Sequence, residues 1–144
     1  MSNTIWTTPP TIEGLHQMSL GTIGDTIGIR FTEIGDDYLV AEMPVHERTV
    51  QPMRMLHGGA SCVLAETLGS VAGMLVLKDI NKEYVVGTEI NASHLRGVRE
   101  GGKVFGKVTP VRIGRRVQVW QIDITDQRGK LVCVSRLTCQ VVGS

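Results

Sequence analysis

The sequence predicts an α+β fold in which a curved antiparallel β-sheet wraps around one long helix. Two observations lead to this prediction: residues 51–77 contain a long run of small and apolar residues, and strand-like alternating runs flank it. A helix that is apolar nearly all round must be covered on most sides. Because the other predicted elements are mainly strands joined by tight turns, a sheet is the available cover.

A short helix and a β-hairpin are predicted before the long helix. Apolar residues at helical spacing predict a helix over residues 11–18, with Thr11 as its N-cap. Alternating apolar and polar residues on both sides of the turn at Gly35 predict a hairpin over residues 27–43. Residues 44–52 form the predicted loop that leads into the long helix.

Four strands are predicted after the long helix, over residues 84–95, 104–113, 116–125 and 131–142. The first carries polar residues on both faces, which is typical of a strand that borders a site or an interface. Pro110 indicates an edge or a bulge in the second strand. In the third strand the apolar phase shifts between Val119 and Trp120, which predicts a local bulge.

Length, charge and cysteine content limit the possible functions. The 144 residues predict one domain over residues 1–144, with its core over about residues 27–142. Fifteen basic against 14 acidic side chains give no electrostatic argument for nucleic acid or an anionic membrane as partner. Three cysteines without metal-ligand spacing predict free thiols in a cytoplasmic protein, and no metal or cofactor. The first ten residues lack the regions of a signal peptide.

Glu66 is the one acid in the long apolar helix. By length, this segment could also cross a membrane, but an acid at the centre of such a span costs roughly 2.5–3.5 kcal/mol. A carboxylate in an apolar helix needs either a partner or a cleft. Two interpretations follow: Glu66 pairs with an arginine, or it faces a cleft with Ser70, one turn later, and does chemistry there. The second is favoured.

The start of the helix is the second candidate for chemistry. His57, Gly58 and Gly59 place backbone amides with little side-chain cover at a helix N-terminus, where the first N–H groups have no internal partner. Such an end can bind an anion or a developing oxyanion. A glycine-rich turn needed only for tight packing explains the same residues equally well.

The two candidate groups, Glu66 and the helix start at Gly58, lie too far apart on the helix to act together in one chain. Gly58 and Glu66 are eight residues apart, which corresponds to about 12 Å along a helix axis. A glutamate side chain cannot cross that distance to a carbonyl docked on the Gly58 amide. If both groups act on one substrate, they must come from different subunits, so the sequence predicts a homodimer with shared sites.

The sequence resembles the hotdog-fold acyl-CoA thioesterases, in the branch that carries its carboxylate on the central helix. The likeness extends from about Ile27 to Val141 and is carried by six groups of residues, 51–61, 65–73, 86–96, 99–101, 118–122 and 135–138. The resemblance implies the hotdog fold, hydrolysis of an acyl- or aroyl-CoA, no cofactor and a homodimer that pairs into a tetramer.

The resemblance also implies roles for individual residues. Glu66 would be the nucleophile or the general base, and the Gly58 amide would polarise the thioester carbonyl with help from Gln51. His57 would shape that end of the site, and Ser70 would position Glu66 or the water. CoA would bind at Gly87, His94, Leu95, Arg96, Gly97, Arg112, Ile113, Gly114, Arg115, Arg116 and Val117. Arginines suit phosphates, although solvated strand ends carry arginine as well.

The loop before the helix departs from the family pattern, because residues 53–55 read Met-Arg-Met. Arg54 is expected to change the acyl pocket or its access route. Three other functions stay open: a thioesterase that acts on an acyl carrier protein, a hotdog dehydratase and a non-catalytic acyl-CoA-binding module. A dehydratase usually needs a histidine near the acid, and only His57 could serve.

Overall fold

The computed structural model describes residues 3–143 and contains three helices and six strands there. In chain order the elements are α1 Ile12–Ser19, α2 Ile23–Ile27, β1 Arg30–Ile34, β2 Leu39–Pro44, α3 Gly58–Leu75, β3 Glu83–His94, β4 Lys103–Ile113, β5 Val117–Asp126 and β6 Leu131–Gly143. The strands form one antiparallel sheet in the order β1-β2-β4-β5-β6-β3. The predicted α+β arrangement of a sheet around a long helix is confirmed.

Helix α3 lies across the concave face of the sheet. One of its sides buries small and aliphatic residues against the inward side chains of the strands, such as Trp120, Ile122 and Leu137. The segment before α1 fixes the other end of the helix, because the Thr7 N–H and hydroxyl both donate to the Leu75 carbonyl, at 2.9 and 3.0 Å. The core also includes Trp6 and Leu15, which precede the predicted core of residues 27–142.

The first hairpin begins later than the sequence predicts. Residues 27–29 were expected to start the strand, but Ile27 ends the five-residue helix α2 and β1 begins at Arg30. Gly28 follows α2 with φ of +87°, a left-handed conformation that glycine adopts readily. A helix this short has too few turns to produce a recognisable apolar period. By contrast α1 is confirmed, with Thr11 Oγ1 accepting from Gly14 N–H at 3.0 Å.

The predicted bulge in β5 is wrong. Pairing of β5 with β6 is continuous through Val119 and Trp120, and the irregularity lies in the neighbouring strand β4, just after Pro110. The apolar phase shifts because the inward position before Trp120 is occupied by a polar residue, Gln118, which is only 1% exposed. Its Nε2 donates to the Gly73 carbonyl at 3.1 Å, and its Oε1 accepts from Trp120 Nε1 at 3.0 Å.

The sheet covers α3 less completely than the sequence predicts. Within residues 3–143, one stripe of the helix stays half-buried or exposed: Cys62, Val63, Glu66, Thr67, Ser70, Val71 and Met74. Strand β3, beside this stripe, is an edge of the sheet and pairs only with β6. By length and hydropathy alone α3 also passes the test for a membrane span, as the core helix of a soluble protein can.

We predict that Gln118→Ala lowers the free energy of unfolding by about 2–4 kcal/mol. The substitution leaves the buried Gly73 carbonyl and Trp120 indole N–H without partners, and each such group costs roughly 1–3 kcal/mol. Urea denaturation at fixed protein concentration measures the change. Gln121→Ala, on the same strand but facing outward, is the matched control and should cost less than about 1 kcal/mol. Equal losses in the two variants would contradict the role given to Gln118.

Candidate active site

The N-terminus of α3 opens into a cavity of about 450 Å³, called here the amide pocket. It brings together six residues that the sequence analysis assigned to the site, along with three that it did not. The lining residues are Gln51, Met55, Leu56, Gly58, Ser61, His94, Leu95, Arg96 and Gly97.

His57 caps α3 and satisfies most of the first turn. Its Nδ1 accepts from the Gly59 N–H at 2.7 Å, so the ring proton is on Nε2, and its carbonyl accepts from Ala60 and Ser61 at 3.0 and 3.3 Å. Within residues 3–143 the Gly58 N–H makes no hydrogen bond. The cap therefore leaves one amide of the first turn unused, at the end of the helix where the dipole is positive.

The backbone at Gly58 lies close under the imidazole ring of His94. A Cβ at this position would be 2.9 Å from His94 Nε2, so any side chain here would have to displace the ring. Glycine thus allows strand β3 to pack against the start of α3. This packing closes the amide pocket on the His94 side.

Gln51 also lines the amide pocket. Its Oε1 accepts from the Met53 N–H, and its backbone N–H donates to the Met55 carbonyl at 2.8 Å. These bonds hold the carboxamide by its oxygen, while Nε2 makes no hydrogen bond within residues 3–143. Two N–H groups without partners within residues 3–143, from Gly58 and Gln51, therefore belong to residues that line the amide pocket.

Arg54 lines neither the amide pocket nor the cavity around Glu66, and the expectation that it changes the acyl pocket or its access route stays a prediction. Its guanidinium turns outward and forms a two-point ion pair with Glu100, with N···O distances of 2.9 and 2.7 Å. Its φ of +62° is unusual for a residue with a side chain. Of the residues Met53, Arg54 and Met55, only Met55 lines the amide pocket.

Glu66 and Ser70 lie in a second cavity, of about 490 Å³, called here the acid groove. Within residues 3–143 Glu66 forms no ion pair, so the alternative in which it pairs with an arginine is wrong for the single chain. The groove is mainly apolar, and the N-terminal helices supply one of its walls. Its other lining residues are Met18, Ser19, Thr22, Ile23, Gly24, Thr67, Val71, Met74, Ile80, Glu83, Tyr84 and Val85.

Gly87 on strand β3 faces the Glu66 carboxylate. A Cβ at Gly87 would lie 2.6 Å from Glu66 Oε2, so the missing side chain leaves the carboxylate its space. The sequence analysis assigned Gly87 to CoA binding, whereas in the single chain it lies against the acid.

The cysteines near Glu66 are poor nucleophiles. Burial, and next the charge of Glu66, raise the pKa of the Cys62 thiol. The same two causes raise the pKa of Cys139 to about 11, and burial is the main cause that raises the pKa of Cys133 to about 11. These thiols stay protonated at neutral pH, and thiols are much weaker nucleophiles than thiolates.

The predicted CoA-binding residues do not come together in one chain. The segment His94–Gly97 lines the amide pocket, whereas Ile113, Gly114 and Arg115 lie near Leu77, beyond the C-terminal end of α3. Arg115 and Arg116 line a further depression there with Lys78, while Arg112 and Val117 line neither the amide pocket nor the acid groove. The amide pocket and the acid groove likewise have no lining residue in common.

Residues missed by the sequence analysis include Ser61, Met55 and Leu56 in the amide pocket and Met18 and Tyr84 in the acid groove. Ser61 follows Gly58 by three residues, a spacing that places two residues on one helix face. That spacing was the available signal for Ser61. The contribution of α1 and α2 to the groove depends on tertiary packing, for which the sequence offers no local signal.

Comparison with known proteins identifies the class to which this fold and site belong. The model of the thioesterase superfamily matches residues 53–133. The chain is 51% identical to the 1,4-dihydroxy-2-naphthoyl-CoA hydrolase of Escherichia coli K12 over 138 residues, covering 96% of this chain and 99% of that protein. It is 50% identical to the proofreading thioesterase EntH of Cronobacter turicensis over 139 residues, covering 96% and 99%.

A solved structure agrees with these matches. The crystal structure of thioesterase HI1161 from Haemophilus influenzae superposes with a TM-score of 0.92 at 47% identity, covering 97% of this chain and 96% of that one. The chain therefore belongs to the thioesterase superfamily. It has the hotdog fold and is a thioester hydrolase, so the fold and the enzyme class implied by the sequence resemblance are confirmed.

Proposed function

We propose that the protein hydrolyses acyl-CoA thioesters at sites shared between two copies of the chain. The observation that carries the proposal is the separation of two complementary half-sites on α3. The amide pocket offers unused donors from Gly58 and Gln51, and the acid groove offers Glu66 without an ion pair in an apolar setting.

A CoA thioester with an apolar acyl group fits both half-sites. The name of the E. coli relative specifies a CoA thioester, and half of this chain's residues are identical to that protein. The acid groove is lined largely by methionine, valine, isoleucine and tyrosine side chains, which suit an aliphatic or aromatic acyl group. The more polar lining of the amide pocket suits the amide-rich pantetheine arm.

In the proposed reaction, the thioester carbonyl oxygen accepts hydrogen bonds from the Gly58 N–H and Gln51 Nε2. Glu66 either attacks the carbonyl carbon, giving an anhydride that water then opens, or takes a proton from an attacking water. The C–S bond breaks, its electron pair leaves with sulfur, and the free acid and CoA thiol result. Ser70, one helical turn from Glu66, positions the carboxylate or the water. A thiolate leaves readily, so no strong general acid is needed.

The shared site rests on the geometry of α3. Gly58 and Glu66 lie about 12 Å apart along the helix, which no glutamate side chain spans. Strand β3 pairs with β6 on one side only, so its other side is a free sheet edge, and the stripe of α3 beside it is uncovered. Two chains that pair β3 edges antiparallel about a two-fold axis cover both features. That arrangement places Glu66 of one chain near the amide pocket of the other.

The same pairing reunites the separated CoA residues. Antiparallel β3 strands bring the His94 end of one chain to the Glu83 end of the other, where Arg115 and Arg116 lie. These arginines and Arg96 then face the phosphates of CoA at the mouth of the site. We further propose that two such dimers form a tetramer. We place the enzyme in the cytoplasm, where its three free thiols stay reduced.

We predict that the wild-type enzyme releases thiol from acyl-CoAs with apolar acyl groups, and that Glu66→Gln lowers kcat by a factor of about 100 or more. The amide keeps the size of the side chain but removes its basicity and negative charge. A thiol-release assay over aromatic and aliphatic acyl-CoAs measures this and ranks the acyl groups.

Glu33→Gln, an acid-to-amide change on β1 away from both pockets, is the control for that assay and should keep wild-type activity. Full activity in Glu66→Gln would contradict the mechanism. Binding of acyl-CoA without thiol release would indicate a binding module, and hydration of an enoyl-CoA would indicate a dehydratase. Activity confined to acyl carrier protein would indicate the carrier-bound substrate.

We predict that Gly58→Pro lowers kcat by a factor of about 100, whereas Gly58→Ala has a much smaller effect. Both substitutions add a Cβ against His94, but only proline removes the N–H that polarises the carbonyl. Proline is tolerated at the first position of a helix, and the extended backbone of His57 suits a following proline. Steady-state kinetics compare the two. Equal losses would show that crowding of His94, rather than the amide, limits the reaction.

A further inference from the structure

Ser61 is a nearly buried serine whose hydroxyl makes no hydrogen bond within residues 3–143 and keeps some accessible surface in the amide pocket. Four polar residues are buried within residues 3–143: Thr49, Ser61, Gln118 and Ser135. Three of these make side-chain hydrogen bonds at 3.1 Å or less. Ser61 is 1% exposed, lines the amide pocket and makes no side-chain hydrogen bond within the described residues. Because no fully buried side-chain oxygen within residues 3–143 lacks a partner, the unpaired Ser61 hydroxyl is reached from the amide pocket.

Ser61 lies three residues after Gly58 on α3, and both residues line the amide pocket. Side chains on a helix tilt towards its N-terminus, and residues three apart share a face. A serine in a helix commonly donates to the carbonyl four residues earlier, which here belongs to His57. That carbonyl instead accepts from the backbone N–H groups of Ala60 and Ser61. The hydroxyl is therefore free for a ligand that enters the amide pocket.

We propose that Ser61 is a further catalytic residue, whose hydroxyl donates a hydrogen bond to the thioester oxygen as negative charge develops there. This inference rests on the proposed function. A hydroxyl can donate or accept, but its neighbours in the pocket, the Gly58 N–H and Gln51 Nε2, can only donate. Their common ligand atom is an acceptor, and the positive end of the helix dipole favours an anionic one.

A third donor, the Ser61 hydroxyl, would stabilise the transition state more than the bound substrate. A carbonyl oxygen in the ground state has two lone pairs, whereas the oxygen of a tetrahedral intermediate has three and carries a full negative charge. Gly58 and Gln51 take up the two lone pairs of the ground state, so the bond from Ser61 is weak in the bound substrate and strengthens during attack. Interactions that strengthen in the transition state raise kcat without tightening substrate binding.

The test is Ser61→Ala, with kcat and KM measured on the preferred acyl-CoA. We expect kcat to fall about 10- to 100-fold, with KM changed by less than about threefold. Alanine favours a helix more than serine does, so the fold is retained, which circular dichroism checks. Ser135→Ala is the matched control, because it also removes a buried hydroxyl but outside both pockets; it should leave kcat unchanged.

A spectroscopic measurement separates a direct role from a structural one. An acyl-CoA labelled with 13C at the carbonyl is bound to the Glu66→Gln protein, with and without Ser61→Ala, and the C=O stretch is recorded. Loss of a donor should move the stretch to higher wavenumber. An unchanged kcat in Ser61→Ala would overturn the inference, and so would a lower kcat with an unchanged stretch, which would assign Ser61 a structural role. If the wild type releases no thiol at all, the proposed function fails, and the stretch alone decides whether Ser61 touches the carbonyl.

Discussion

The distance of about 12 Å between Gly58 and Glu66 is the constraint on which the account of this enzyme depends. A helix packed along one side against a sheet cannot bend to shorten it. Its C-terminal end is held by the Thr7 hydrogen bonds, and its N-terminal end is held under His94. The separation of the two reactive ends is therefore built into the core. A second copy of the chain is the economical way to bring an amide donor and a carboxylate onto one carbonyl.

The chemistry at the N-terminus of α3 follows from how the helix is capped. A helix start has four N–H groups without internal partners, and a side-chain cap usually satisfies one or two. Here the His57 ring and carbonyl together take the N–H groups of Gly59, Ala60 and Ser61. The Gly58 N–H makes no hydrogen bond within residues 3–143, and Gly58 lines the amide pocket. The cap thus uses three of these N–H groups to stabilise the helix and leaves the fourth, that of Gly58, for the proposed chemistry.

The sequence was sufficient to predict the elements that depend on local pattern. The long helix, the strands and the N-cap at Thr11 each carry a repeating or short-range signal. The bulge predicted in β5 was wrong because of Gln118. This glutamine is buried and hydrogen-bonded to Trp120 and a backbone carbonyl, but in the sequence a polar residue at an inward position resembles a break in the apolar phase. Helix α2 was missed because five residues show no period. The open stripe on α3 was missed because apolarity does not specify whether a sheet or a second subunit supplies the cover.

In the candidate site too, residues with a local sequence signal could be predicted, and residues that depend on tertiary contacts could not. Glu66 stood out as an acid in an apolar helix, and Gly58 as a glycine at a helix start, so both could be found from sequence. Arg54 could not be placed, because its outward turn depends on Glu100, 46 residues away. Ser61 was overlooked because serine is common in helices of small residues. The hydrogen bonds in the structure are needed to distinguish a serine whose hydroxyl has no partner from one whose hydroxyl is bonded.

The central claim is that each active site takes its amide from one chain and its carboxylate from another. Co-expression of Glu66→Gln and Gly58→Pro chains, each with a different affinity tag, allows mixed dimers to be purified by two successive tags. If sites are shared, one site in each mixed dimer carries both substitutions and the other carries neither. The mixed dimer should then recover about half of the wild-type activity, or about a quarter or more where dimers assemble at random into tetramers, far above either parent variant. Activity no greater than that of the parents would show that each site lies within a single chain, and would contradict the account.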